Sequence, residues 1–485
     1  SPAQSAAAAD ATCAGQEATL VGDGTWDHEI IGTDGVDVIV SNGARLVDAA
    51  GGDDVVCLTG ASSIRFSVRV VDGAGDDLIR NETAFEPGDR DGINDAVSVI
   101  LTDGDDTYVG GAGPERVSAA GGADDITTAG GSDYVSAGSA STSLSEDPFD
   151  GRVDLGAEGG TLAVGPRVDP STIMLGGTGP SKLIVSDSVA GTTGWVVDAP
   201  LGLITLEEET RFQFTDFTEF VLLGKRVERF VGTPEADLLS AADLVLGIFG
   251  DGDDQVFAST VETAIMGAGD DTTRLRGATA TSGDLDGGPG DDLLWAIADA
   301  GLAVDLVEET LTYSADASTR DFSGFETYDL AAEDLKFNGT PGPDDAHLQG
   351  CRLRASSRGG DDRISLVPGN FEDGVIVCTQ GSPSGFRFAA GAGDDVVNSR
   401  STKGTITGNS GDDRITGAGS LSGGPGDDRI HINQRYTRAI GGRGNDLLVG
   451  FRFADLLLGG VGHDRALGRG GQDRCVAEVQ RSCER

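Results

Sequence analysis

One short unit recurs along this chain: Gly-Gly-x-Gly-[Asp/Asn]-Asp-x-aliphatic. It reads Gly287-Gly288-Pro289-Gly290-Asp291-Asp292-Leu293-Leu294, then Gly423 to Ile430, then Gly441 to Leu448, and looser copies run from residue 32 to residue 474. The unit is numbered here so that the second acidic residue is position six and the aliphatic residue position eight. Toward the C-terminus position six falls on Asp428, Asp446, Asp455, Asp464 and Asp473, every gap being nine or eighteen, with Thr437 in the one other slot. Nine residues make one turn and one short strand, and two such units close a coil of eighteen. A unit this short cannot bury its apolar face alone and must stack on its neighbours. The expected fold class is therefore all-β: a right-handed parallel β-solenoid, of β-roll or β-helix type, with glycine-rich turns.

Upstream the spacing loosens but stays near one coil. Asp37 to Asp54 is seventeen residues, Asp237 to Asp254 to Asp271 is seventeen twice, and Asp395 to Asp413 is eighteen. Period-two runs lie between the turns: Ile64, Phe66, Val68 and Val70; Val97, Val99 and Leu101; Val375 and Val377. Such alternation marks strands with one buried face. A longer repeat, offset by 107 to 108 residues, matches Phe214-Thr-Asp-Phe-Thr-Glu-Phe220 to Phe322-Ser-Gly-Phe-Glu-Thr-Tyr328, and Val197-Asp198 to Val304-Asp305. Segment duplication explains it. About 24 coils stacked at ~4.8 Å would make a rod near ~115 Å long.

The expected organisation is a flexible segment 1–16; a metal-binding solenoid 17–137; a metal-poor solenoid or inserted β region 138–230; a second metal-binding segment 231–338 with a metal-poor end; and a C-terminal β-roll 339–485 with a disulfide-closed cap. In 138–230 the turn Gly176-Gly177-Thr178-Gly179-Pro180-Ser181 keeps its glycines but has Ser where the carboxylate belongs. It reads as a coil without a metal.

The turns suit Ca²⁺, a hard cation that takes six to eight oxygens at about 2.3–2.6 Å. Glycines turn carbonyl oxygens inward through dihedrals closed to other residues, and the position-six Asp adds its carboxylate. One turn cannot supply six oxygens, so each ion should sit between successive coils. The candidate ligands are Asp37, Asp54, Asp77, Asp106, Asp125, Asp237, Asp254, Asp271, Asp292, Asp345, Asp362, Asp395, Asp413, Asp428, Asp446, Asp464 and Asp473. Asp237, Asp345 and Asp455 sit in degraded turns. Plain hairpin turns explain isolated pairs such as Asp23-Gly24, but not the fixed place of the second Asp relative to the glycines and the aliphatic. Zinc is disfavoured: the four histidines are isolated and the cysteines lack C-x-x-C spacing.

With 35 Lys+Arg against 80 Asp+Glu the formal net charge is −45. The chain should repel nucleic acid and anionic membranes, and a compact form needs cations against self-repulsion. Disorder is the alternative for so acidic a chain, but hydrophobic residues make up 38% and fall in alternating runs. No apolar run reaches membrane-spanning length. The Ala-rich opening after Ser1 looks like the remnant of a removed signal peptide. Six cysteines suggest three disulfides in an oxidising compartment. Of the connectivities they allow, Cys13–Cys57, Cys351–Cys378 and Cys475–Cys483 is the expected set.

The repeat resembles the RTX (repeats-in-toxin, hemolysin-type) calcium-binding family, strongly over residues 390–474 and patchily over 17–136 and 232–295. The opening Ala11 to Gly22 and the close from Gln472 through Cys475 to Glu484 look like its secreted actinobacterial members. The resemblance implies export in a disordered form and calcium-driven folding outside the cell. RTX repeats usually accompany a protease, lipase, toxin or adhesin domain, and no such partner domain is evident here.

No H-E-x-x-H, G-x-S-x-G or Walker sequence occurs. Arg211, Asp216, Arg226 and Arg229 are the only hint of a polysaccharide lyase or epimerase face. Thr279/Thr281 and Thr405/Thr407 are the only hint of an ice-binding rank. The expected function is a secreted calcium-binding structural protein of the cell surface, matrix, S-layer or filament type, with self-assembly or a surface polysaccharide as partner. The alternative is an extracellular enzyme that uses the repeats as a secretion and folding module.

Overall fold

The computed structural model describes residues 11–483 except 26, 61–67, 84–96, 139–147, 187–193, 207–208, 277–282, 316, 369–384, 401–403 and 435–436. Among the described residues there is no helix; the chain is strand, turn and bend. Chain contacts divide it into two units, Ser1–Val245 and Leu246–Arg485. The boundary falls inside the segment 231–338 that the sequence treats as one.

In the first unit strands pair in parallel with the strand one coil later, forming two ladders. One runs Glu29–Ile31, Leu46–Asp48, Arg69–Val71, Val97–Asp103, Glu115–Gly121 and Asp133–Ala137. The other runs Val38–Val40, Val55–Leu58, Leu78–Asn81, Thr107–Val109, Asp125–Thr127 and Arg152–Asp154. The pairing is parallel because every coil presents the same turn-then-strand order to its neighbour.

Position eight explains why the register locks. Val56, Ile79, Tyr108, Ile126, Val153 and Met174 face one another across successive strands, and all are fully buried. In the second unit the same position gives Leu294, Tyr328, Ala346, Ile364, Val397, Ile415, Ile430, Leu448 and Ala466 in one column. These too are buried. Each larger aliphatic withdrawn from water stabilises by roughly 1.5–3 kcal/mol. A one-residue slip would turn the whole column to solvent. Of the expected strand residues, Val68, Val70, Val97, Val99 and Leu101 are buried, while Ile64, Phe66, Val375 and Val377 lie outside the described residues.

The 107-residue duplication has a structural counterpart. Trp195–Asp198 pairs antiparallel with Leu203–Leu206, which pairs antiparallel with Glu209–Thr215. Likewise Leu293–Asp305 pairs antiparallel with Thr310–Tyr313, and that with Thr319–Ser323. Behind each excursion the duplicated aromatics meet edge to face or tilted. Phe214 lies 6.2 Å from Phe217 and 5.7 Å from Phe220; Phe322 lies 6.3 Å from Phe325 and 6.1 Å from Tyr328. These rings are buried, so apolar packing holds both stretches.

Two disulfides close the ends of the described chain. Cys13 is joined to Cys57 and Cys475 to Cys483. Cys378, the expected partner of Cys351, lies outside the described residues. Within the segment expected to be flexible, Thr12–Cys13 pairs antiparallel with Gln16–Glu17, so its described part is tied down. Among the described residues no helix is long and apolar enough to cross a membrane.

Candidate metal centre

Position six ends each glycine turn just before a strand begins, on the same inward side as position eight. The side chains there are accordingly buried. Asp54, Asp77, Asp106, Asp254, Asp271, Asp292, Asp362, Asp395, Asp413, Asp428, Asp446, Asp464 and Asp473 are each no more than 2% exposed.

Their carboxylates form a ladder from coil to coil. The amide of Asp54 donates to Asp77 Oδ1 at 2.7 Å, that of Asp77 to Asp106 at 2.9 Å, and that of Asp106 to Asp124 at 3.0 Å. In the second unit the amides of Asp362, Asp395, Asp413, Asp428 and Asp446 donate in turn to Asp395, Asp413, Asp428, Asp446 and Asp464, at 2.9–3.0 Å. A second ladder runs the opposite way through position five, at the exposed rim. Asp412, Asp427 and Asn445 donate their amides back to Asp394, Asp412 and Asp427, at 2.7, 2.7 and 2.6 Å. Coils with acids at both positions, as from Asp394-Asp395 to Asp427-Asp428, are thus stapled to their neighbours by two carboxylate–amide bonds of opposite sense.

The buried ladder uses only one carboxylate oxygen. The other, Oδ2 of Asp54, Asp77, Asp106, Asp124, Asp271, Asp292, Asp362, Asp395, Asp413, Asp428, Asp446 and Asp464, is buried with no hydrogen-bond partner. Leaving an ionised oxygen so placed is costly. Burial first, with like-charged neighbours adding to it, pushes the carboxyls of Asp77, Asp395, Asp413 and Asp428 up to about 7. Asp124 is pushed up to about 8, and Asp54, Asp271 and Asp446 to about 6. A proton or a cation must answer that charge. The donor set is oxygen throughout, which fits a hard divalent ion such as Ca²⁺.

The leading glycine makes room for the carboxylate. A Cβ on Gly423 would collide with Asp428 Oδ2, and one on Gly441 with Asp446 Oδ2. Glycines two and four of the same turn hold φ values of +139° at Gly424 and +144° at Gly426, which L side chains rarely adopt.

Four turns differ. In the Gly-Thr variants the amide of position two donates to the position-six Oδ2: Thr33 to Asp37 at 2.7 Å, Thr233 to Asp237 at 2.6 Å, and Thr340 to Asp344 at 3.0 Å. Phe451 does the same for Asp455 at 2.8 Å. These bonds reach the second carboxylate oxygen, which in turns such as those of Asp395 and Asp413 has no hydrogen-bond partner. At the turn without a carboxylate, Ser181 donates its hydroxyl to Gly176 O and accepts the Gly160 amide at 3.3 Å. It keeps the ladder and carries no charge.

Two expected ligands are misplaced by one residue. Asp125 and Asp345 begin their strands at position seven and point out, both exposed; Asp124 and Asp344 occupy the buried register instead, 0% and 4% exposed. The aliphatic rule carried the right answer, since Ile126 and Ala346 fall two residues after Asp124 and Asp344. Sequence reasoning also passed over Glu115, which ends the complete turn Gly110-Gly111-Ala112-Gly113-Pro114 with a longer carboxylate. Its amide donates to Asp133 Oδ1 at 3.0 Å, and burial raises both groups, Asp133 to about 7.

The polar residues considered for catalysis are dispersed. Arg211 donates to Pro166 O at 2.6 Å, Arg226 to Glu228 at 2.6 Å, and Asp216 accepts from Thr215. Thr405 and Thr407 stand opposite Ser420 and Ser422 and extend no threonine rank; Thr279 and Thr281 lie outside the described residues. No protein-family model matches the chain, and no curated protein matches it.

Proposed function

We propose that this chain is a secreted calcium-binding structural protein, a right-handed parallel solenoid of the RTX type in which ions lodged between coils hold an acidic polymer in shape. The observation that carries this reading is the file of buried position-six carboxylates, in which members such as Asp77, Asp395, Asp413 and Asp428 staple a neighbouring coil with one oxygen and leave the other without a donor. Ca²⁺ would take that second oxygen together with glycine-turn carbonyls. Disulfides at both ends of the described chain favour an oxidising compartment, and so favour a role outside the cell at a surface, in a matrix or in a filament.

Each ion that binds only the folded form stabilises by about 2.7 kcal/mol at a hundredfold excess over its dissociation constant, and many sites compound. Equilibrium dialysis of the full chain, with metal analysis, tests the reading. Several calcium ions per chain are expected at millimolar free calcium, lost to chelator together with the β-sheet circular dichroism. A chain that retains no calcium and keeps its spectrum in chelator sinks it.

One observation favours an enzymatic reading. In the second unit a cavity of about 260 Å³ is lined by Ser314, Glu333, Asp334, Lys336 and Arg352, with Asp334 and Arg352 paired at 3.4 Å. Mixed charges beside a hydroxyl suit a sugar-acid substrate. Turnover of uronate polymers, abolished by Glu333→Gln, would establish that reading; inactivity on such polymers and on casein leaves the structural one.

A further inference from the structure

Among the described residues one group of acidic side chains departs from the turn pattern. The turn Asp72-Gly73-Ala74-Gly75-Asp76-Asp77 carries a carboxylate at position one, where Gly423 and Gly441 stand in the regular copies. Asp72 is 0% exposed, Asp77 2% and Asp106, one coil later, 1%. One carboxylate oxygen from each lies within 4.8 Å of the others.

Most of the remaining oxygens are engaged. Asp72 Oδ1 accepts the amides of Gly73 at 2.7 Å and Thr102 at 3.0 Å. Asp77 Oδ1 accepts Asp54 N–H at 2.7 Å, and Asp106 Oδ1 accepts Asp77 N–H at 2.9 Å. Independently of the clustering, Oδ2 of both Asp77 and Asp106 is buried and without a hydrogen-bond donor. The amides have taken one oxygen of Asp77 and of Asp106 and left the other without a donor, while Asp72 Oδ2 receives only a longer, shared bond from the Thr102 amide at 3.3 Å.

We propose that Asp72, Asp77 and Asp106 form a distinct cation site, three carboxylates where an ordinary turn interface brings two, and that it binds Ca²⁺ more tightly than any other turn in the chain. This deepens the calcium reading and rests on it. The donors are hard oxygens with no His or Cys among them, which selects Ca²⁺ over zinc or copper. Affinity at oxygen sites rises with the number of charged ligands. Two carboxylates sharing a proton are the competing arrangement. Burial, then the negative charges of Asp106 and Asp77, push Asp72 up to about 9. A proton there neutralises one of three charges; a divalent ion neutralises two and uses every free oxygen.

The test uses the full chain, calcium-loaded and dialysed into chelator-buffered solutions of stepped free Ca²⁺, with bound metal counted at each step. Asp72→Asn keeps an oxygen for the Gly73 and Thr102 amides. It is expected to lose one equivalent from the last-released class, at least tenfold in affinity, while the later-filling sites and the circular dichroism at millimolar Ca²⁺ stay as in the parent. Asp72→Gly restores an ordinary turn and gives the same loss, which guards against a folding defect of the Asn variant. Asp428→Asn should remove one ion from the weaker class and leave the tightest untouched. If both Asp72 variants hold their last ion as tightly as the parent, the site is a proton-sharing pair and the proposal is overturned. If the parent binds no calcium at any step, the general calcium reading fails first and takes this one with it.

Discussion

Asp428 illustrates the whole arrangement at the scale of one residue. One oxygen accepts the Asp413 amide at 2.9 Å, the other is buried without a donor, and the side chain is 1% exposed. Its neutral isostere should therefore act in opposite directions under two conditions. In chelator, Asp428→Asn removes a buried charge and should raise thermal stability by about 1 kcal/mol. In millimolar Ca²⁺ it deletes a ligand and should lower stability relative to the parent. Melting curves of both proteins in both buffers check this, and a destabilisation of equal size in each would leave the carboxylate with a purely structural role. The glycine opposite is equally specific. Gly423→Ala sets a methyl against Asp428 Oδ2 and should cost about 1–3 kcal/mol by overpacking, with one bound ion lost.

A single turn joined to a single strand is the element from which both units are made, and its variants differ in how the position-six group is answered. Gly-Gly turns leave Oδ2 open; Gly-Thr turns close it with the position-two amide; Ser181 removes the charge. Ser181→Asp should consequently destabilise the chelated protein, because it adds a buried carboxylate beside Gly176 and Gly179 without a Gly-Thr donor. A melting temperature unchanged in chelator would count against that account. The disulfides act on other elements, and each stabilises in step with the logarithm of the chain length it encloses. Cys13–Cys57 spans 44 residues and Cys475–Cys483 spans 8. In the loop-entropy model these are worth about 4 and about 2.5 kcal/mol. Denaturant unfolding of Cys13→Ala/Cys57→Ala and Cys475→Ala/Cys483→Ala double mutants should show the first loss to be the larger.

Across the whole molecule, a formal net charge of −45 sets the response to pH and metal. The buried carboxyls have folded-state values raised to about 6 to 8, against about 3.9 for an unfolded aspartate. The metal-free fold then binds more protons than the unfolded chain between those values, and stability falls as pH rises. The contribution is complete below about pH 4 and lost as pH climbs through about 6 to 8. In chelator the chain should accordingly be more stable at pH 5 than at pH 8, and calcium should reverse the order, because ions need the deprotonated carboxylates. Thermal melts at the two pH values, with and without calcium, measure both signs. Greater stability at pH 8 in chelator would contradict the burial of these groups as charged ligands.

The repeat unit by itself determined the all-β class, the position-eight column and most of the places where charge must be answered. These follow from local spacing, a turn of fixed length and a period of two, whereas the expected pairs Cys13–Cys57 and Cys475–Cys483 are closed by the fold. The choice between two adjacent acids, as at Asp124 over Asp125 and Asp344 over Asp345, was legible in the aliphatic two residues on, and the register of the paired strand fixes it by side alternation. Only the tertiary structure separated carboxylates closed by their own turn, such as Asp37 and Asp237, from those left open, such as Asp413. It alone brought Asp72 against Asp106, which is 34 residues away in sequence and one coil away in space. Loops of unequal length hide that neighbourhood from any periodic reading, and strand pairing restores it.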